Sequence, residues 1–180
     1  ALSPGWQASF RALLDREPGS GNPGLGDAGP PPAWPGFRRL TATAIERESD
    51  SVISIRLEDP DGAPLPAARP GQYLTVRIPE SDGGRSVLRN YSLSGPPGAD
   101  YYRITVKLEQ GGVAGGYLHE RLAVGDRLEI AAPRGTFILD ETDAPVLLIS
   151  AGIGATPVLA MLHTLAAEHS DREVWWLHGA

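Results

Sequence analysis

Tyr102-Arg103-Ile104-Thr105-Val106-Lys107-Leu108-Glu109 alternates apolar and polar side chains without a break. That period of two is the signature of a strand with one face buried and one face wet. Working outward, residues 37–46, 52–57, 73–78, 88–94 and 127–131 read as further short strands. Turn signals separate them: Asp61-Gly62, Pro70-Gly71, Gly83-Gly84, Gly111-Gly112 and Gly125-Asp126. Short strands with tight turns pair antiparallel, and a closed barrel would remove their exposed edges. One short helix, about residues 115–121, is expected among them. The fold class expected for residues 37–142 is therefore all-β, a six-stranded antiparallel barrel.

After Pro145 the texture changes. Val146-Leu147-Leu148-Ile149 is a continuous apolar run, as for a strand buried on both faces. Gly152-Ile153-Gly154-Ala155-Thr156-Pro157 follows, then a helix with Val158, Leu159, Leu162 and Leu165 on one face. Residues 173–178 form a second apolar strand. Residues 143–180 thus read as the start of an α/β nucleotide-binding domain. Thr156 is the expected helix cap, with Pro157 at the first helical position. At the other end, residues 18–36 hold six Pro and six Gly and read as a linker. Residues 1–17 precede it. Trp6, Phe10, Leu13 and Leu14 have helical spacing, and one such helix cannot bury its apolar face alone. It is expected to finish an upstream domain.

The chain has 180 residues, 41% of them hydrophobic and 21% charged, which suits a packed core. Its formal net charge of -6 counts against nucleic acid as a partner and against an oligonucleotide-binding barrel. No apolar run approaches a membrane span, so no membrane partner is expected. Without cysteine, disulfides and thiolate-held metals or iron–sulfur clusters are excluded for these residues. His119, His163, His169 and His178 lack metal-ligand spacing, so no metal site is expected. A cytoplasmic location is expected.

Four motifs bear chemistry. In Arg89-Asn90-Tyr91-Ser92, the Arg offers a fork of donors to phosphate, the Tyr a flat face, and the Ser a hydrogen bond to a ring edge. The competing reading is an ordinary strand with one exposed Arg. In Gly111-Gly112-Val113-Ala114-Gly115-Gly116, glycines ahead of a helix let backbone N–H groups approach an anion, where a plain turn is the alternative. Gly152-x-Gly154 lacks the third glycine of the dinucleotide fingerprint, since Pro157 stands there. Tyr73, in Pro70-Gly71-Gln72-Tyr73, could stack on an aromatic ligand or pack at the rim.

Taken in order, these motifs resemble the ferredoxin–NADP reductase superfamily. Tyr102-Arg103-Ile104-Thr105-Val106-Lys107, Gly116-Tyr117-Leu118-His119, Ala132-Pro133-Arg134-Gly135-Thr136-Phe137 and Leu148-Ile149-Ser150-Ala151-Gly152-Ile153-Gly154 add to the likeness. Residues 37–180 are most similar to the reductase module of flavohemoglobins and phthalate-dioxygenase-reductase-type enzymes. The resemblance implies a Greek-key flavin-binding barrel and an enzyme passing hydride from NAD(P)H to FAD, with FMN the alternative. Electrons would then go to an acceptor protein or domain, an iron–sulfur domain downstream being one candidate. It implies that Arg89 holds the flavin phosphate, with Asn90 beside it. Tyr91 would stack on the ring, Ser92 would bond near its N5, and Tyr73 would favour FAD. Val106, Lys107 and Leu108 would line the pyrophosphate–ribose path, and Gly115 and Gly116 would donate N–H groups to phosphate. Ala151, Gly152, Ile153, Gly154, Ala155 and Thr156 would cradle the nicotinamide nucleotide. Gly115 departs from the family pattern, which often has Ser or Thr there. The segment Leu2-Ser3-Pro4-Gly5-Trp6-Gln7-Ala8-Ser9-Phe10 resembles the tail of molybdenum-cofactor sulfurase C-terminal (MOSC) proteins. The competing function is a non-catalytic flavin- or nucleotide-binding or partner-docking barrel.

Overall fold

A computed structural model describes residues 31–79, 86–98 and 100–179. The helix expected within residues 1–17 and most of the linker lie outside the described residues. So does the Gly83-Gly84 turn.

Six strands form one antiparallel sheet: β1 (Phe37–Arg47), β2 (Val52–Glu58), β3 (Tyr73–Ile78), β4 (Val87–Ser92), β5 (Tyr102–Lys107) and β6 (Arg127–Ala131). Their spatial order is β4-β3-β6-β1-β2-β5. The ends of that order meet, because Leu93 bridges Ile104 and the Ser94 N–H donates to Arg103 O at 2.9 Å. The sheet therefore curls into the expected barrel, nearly closed, with its two edge strands meeting at this bridge. Alternate residues point inward. Leu74, Val76 and Ile78 on β3, and Ile104 and Val106 on β5, are fully or almost fully buried. Each contributes about 1.5–3 kcal/mol relative to an exposed position.

The structure refines two boundaries. Trp34 falls within the expected linker, yet its ring is buried and its indole N–H donates to Ile130 O at 3.1 Å. Packing with the barrel thus reaches back to Trp34. The helix of the barrel, α1 (Val113–Glu120), begins two residues before expectation, with Gly112 as its N-cap. His119 anchors this helix, with Nε2 3.0 Å from Val106 O.

β7 (Val146–Ala151) and β8 (Val174–Gly179) pair in parallel. A 3₁₀ turn (Gly152–Gly154) leads into α2 (Ala155–Ala167). This is the expected strand–turn–helix–strand order, with two corrections. Only Leu148 of the apolar run is buried, packed with Val158 and Met161 of α2, while Leu147 and Ile149 are exposed. One helix covers one face of the two described strands. Thr156 is not the cap either: the N-cap is Gly154, without a side-chain bond, and Thr156 lies inside the helix. The Thr156 hydroxyl donates back to Ile153 O at 3.0 Å. Pro157 is the third helical residue, where a missing N–H is still harmless because the first-turn donors have no helical acceptor.

Candidate functional site

The β3–β4 register decides which side chains share a face. Tyr73 pairs with Ser92, Leu74 with Tyr91, Thr75 with Asn90 and Val76 with Arg89. Directly opposed residues of an antiparallel pair point the same way. Tyr73, Asn90 and Ser92 therefore share one face, while Arg89 and Tyr91 share the other. The Thr75 hydroxyl donates to Asn90 Oδ1 at 2.8 Å and fixes that amide.

A cavity of about 290 Å³ lies beside this ribbon. Asn90, Tyr91 and Ser92 line it from the barrel, with Thr105 and Lys107 of β5; Gly154 and Thr156 face them. The barrel and the Gly-rich turn thus meet around one space, and it combines an aromatic ring, hydroxyls and an amide. Tyr91 is half-buried against the core. Burial pushes its phenol up from the ordinary range, and the nearby Arg89 charge opposes that only in part. Tyr91 thus presents a neutral ring at neutral pH. A second cavity, about 340 Å³, opens at the start of α1, lined by Leu108, Gly111, Gly112, Gly116, Tyr117 and Arg121. Glu109 lines both, so they adjoin along Lys107 and Glu109, which pair at 3.3 Å.

A flavin nucleotide asks for a flat ring site, polar ring contacts and an anion site a few residues away, and the chain fits on each count. Among the described residues, the Arg89 side chain is exposed on β4, bonds only to Leu88 O and makes no ion pair. At the α1 start, the N–H groups of Val113, Ala114 and Gly115 precede the first helical bond, as first-turn donors do. The Gly116 N–H is not such a donor, because it bonds Gly112 O at 2.8 Å. Its expected phosphate contact is corrected accordingly: Gly116 lines the second cavity without a free N–H. Val106 lines neither cavity: its side chain is in the core and its carbonyl meets His119.

Lys107, Leu108, Ile153, Gly154 and Thr156 line the two cavities; Gly115, Ala151, Gly152 and Ala155 line neither. Arg89 and Tyr73 stand next to the cavity-lining residues without lining the cavities themselves. Sequence reasoning missed Thr105, Glu109 and Arg121. Thr105 was legible, since the period-two pattern of β5 turns it outward beside Lys107. Arg121 carried no signal, because its place depends on how α1 docks.

A near-closed antiparallel barrel carrying this ring-and-anion site, joined to a Gly-rich nucleotide turn, defines a flavin-binding reductase module. A family profile for the oxidoreductase FAD-binding domain matches residues 39–138, and the chain belongs to that family. A flavohemoprotein of Deinococcus radiodurans is 42% identical over 177 residues, covering 97% of this chain and 44% of that protein. A flavohemoprotein of Pseudomonas aeruginosa is 46% identical over 129 residues, covering 72% of this chain and 32% of that protein. The chain spans less than half the length of these curated relatives. Among solved structures, the flavohem-like FAD/NAD-binding domain of a Vibrio cholerae nitric oxide dioxygenase is 36% identical with a TM-score of 0.76. That match covers 79% of this chain and 62% of the other. Phthalate dioxygenase reductase is 34% identical with a TM-score of 0.69, over 79% of this chain and 43% of that one.

Proposed function

We propose that this chain is the flavin-bearing part of an NAD(P)H-dependent reductase. In this reading FAD lies along the two adjoining cavities, and a reduced nicotinamide nucleotide approaches from the Gly152–Thr156 side. The supporting observation is the cavity in which Asn90, Tyr91 and Ser92 of the barrel face Gly154 and Thr156 of the nucleotide-type turn. Bound FAD supplies the chemistry that turns a two-electron hydride donor into a one-electron donor.

The chain's own residues place and tune that group. Tyr91 provides a neutral aromatic face. Ser92 would offer its hydroxyl to the ring edge, and Asn90 is held on the same face by Thr75. Arg89 and the free N–H groups at the α1 start balance the negative charge of the phosphates. Gly154 leaves room at the facing wall, where a side chain would narrow the approach of the second nucleotide. FAD rather than FMN is favoured by the family, whose profile is that of an FAD-binding domain.

The acceptor is proposed to be a separate domain of the same longer protein or a partner protein. Alignments to flavohemoproteins run over 97% and 99% of the chain, including the segment on which the MOSC expectation rests. That coverage supports an upstream neighbour of the flavohemoprotein kind over a MOSC module. The nucleotide supply of such a reductase supports a cytoplasmic location.

Ser92→Ala in the full-length protein tests the reading. The variant keeps FAD, and its bleaching by NADH or NADPH in stopped flow slows by roughly one to three decades, the cost of one transition-state hydrogen bond. An unchanged rate removes Ser92 from the chemistry. A wild-type flavin that neither nucleotide bleaches rejects the reductase reading and favours a binding module.

A further inference from the structure

The segment after β6, Pro133 to Leu139, lies outside the two cavities, yet it is clamped to the strand that carries Tyr73. The Tyr73 N–H donates to Arg134 O at 2.8 Å, and the Arg134 N–H returns to Tyr73 O at 3.0 Å. The Leu139 N–H donates to Pro70 O at 3.2 Å. Between these bonds sit two close approaches. A Cβ on Gly135 would lie 3.1 and 3.2 Å from Cδ1 and Cε1 of the Tyr73 ring, so the ring rests on the bare Gly135 backbone. A Cβ on Gly71 would lie 2.0 Å from Phe137 O and 2.8 Å from Met161 Cε. Both glycines have positive φ, +122° at Gly135 and +101° at Gly71, where a side chain is strained in any case. The segment therefore forms a strap. It is seated on Gly71, touches α2 through Met161, and presents a flat, side-chain-free patch to one ring.

We propose that Gly135 is a positioning residue for the flavin, acting through Tyr73: its missing side chain sets the tilt of the Tyr73 ring, and that ring sets the pose of the cofactor next to Ser92. The proposal rests on the flavin reading above. Tyr73 stands directly across from Ser92, so a ring displaced by a few tenths of an ångström is displaced beside the hydroxyl that faces the flavin. A residue that only held the barrel together would not act through one aromatic side chain.

The test is a double-mutant cycle in the FAD-loaded full-length protein: Tyr73→Ala, Gly135→Ala and the pair. The readouts are FAD affinity, visible circular dichroism of the flavin, and kcat and KM for the reduced nucleotide. Gly135→Ala is expected to weaken FAD about tenfold, a change of about 1.4 kcal/mol, and to alter the flavin dichroism as Tyr73→Ala does. In the Tyr73→Ala background the same change does nothing further, and kcat moves more than KM. Equal effects of Gly135→Ala in both backgrounds, or an unaltered dichroism, overturn the proposal. If Tyr73→Ala leaves the flavin signals untouched while Ser92→Ala still slows bleaching, this inference fails and the reductase reading stands. If Gly135→Ala does not fold, the ring side decides. Tyr73→Phe, which keeps the flat ring, retains the wild-type dichroism, and Tyr73→Leu loses it; a Phe variant that behaves like Leu overturns the proposal.

Discussion

Gly115→Ser should tighten FAD binding, and the structure allows the size of the gain to be worked out. A Cβ at Gly115 would lie 3.5 Å from Lys107 O and 3.8 Å from Glu109 N and Leu108 Cα, all ordinary contacts. Its φ is not in the left-handed region. The substitution thus carries no steric or strain cost, and replacing Gly within α1 recovers about 0.5 kcal/mol of helix propensity. A hydroxyl at the third helical position stands among the free first-turn N–H groups of α1. A hydrogen bond to a charged group contributes about 1.5–3 kcal/mol, less the cost of fixing the serine rotamer. A net gain of about 1–2 kcal/mol corresponds to roughly five- to thirtyfold tighter binding. The assay is titration of FAD into full-length apoprotein, followed by quenching of flavin fluorescence, beside a melting curve of the same apoprotein. Lys107 O is a competing acceptor for the new hydroxyl. If it captures that group, the apoprotein melts higher while FAD affinity stays at the wild-type value. FAD affinity at the wild-type value, with the apoprotein melting no higher than the helix-propensity gain alone gives, would refute the placement of the phosphate at the α1 start.

Two further outcomes follow from the barrel. Trp34→Ala removes a buried ring and the indole bond to Ile130 O, and should cost about 3–5 kcal/mol in equilibrium urea unfolding; a loss below about 1 kcal/mol would detach Trp34 from the core. Asp59 is a pH-dependent element. Burial pushes its carboxyl up, but N–H bonds from Asp61 and Ala63 and the Arg38 guanidinium outweigh that and hold it below the ordinary 3.8. Because the folded value is the lower one, its stabilisation is present above about pH 4 and is lost as pH falls further. Asp59→Asn should flatten the melting temperature between about pH 4 and pH 2 relative to wild type; parallel profiles would contradict the assignment.

The barrel was legible because its signal is local and redundant. On β3 and β5 the apolar residues recur at every second position, and only one register buries Leu74, Val76, Ile104 and Val106 together. Trp34 was not legible. Its neighbours are Pro and Gly, which mark loops correctly, but nothing local announces that a ring on a loop fills a gap in a distant core. The start of α1 was misplaced for a related reason. Gly112 offers no capping side chain to mark the N-terminus, so nothing local separates Val113 and Ala114 from the turn before them. At the site, Tyr91 and Ser92 could be proposed from residue type alone, while Asn90 entered only through the family resemblance. Their meeting with Gly154 and Thr156 depends on how the turn after β7 folds against the barrel, a relation between segments about 60 residues apart in sequence that no periodicity encodes. Likewise Val106 sits in a recognised motif, yet its alternation with Lys107 and Thr105 already pointed its side chain into the core.

The account depends most on a flavin nucleotide whose anionic tail is gripped by Arg89 while its ring meets Tyr91 and Ser92. The direct measurement is a titration of FAD into full-length apoprotein, wild type and Arg89→Ala in parallel, read by visible absorption. The wild type should bind FAD with a shifted and structured flavin spectrum. The Arg89→Ala protein should bind it about ten- to a hundredfold more weakly, the loss of one charged hydrogen-bond set. A wild type that leaves the spectrum of free FAD unchanged, or an Arg89→Ala protein that binds as tightly as wild type, would contradict it.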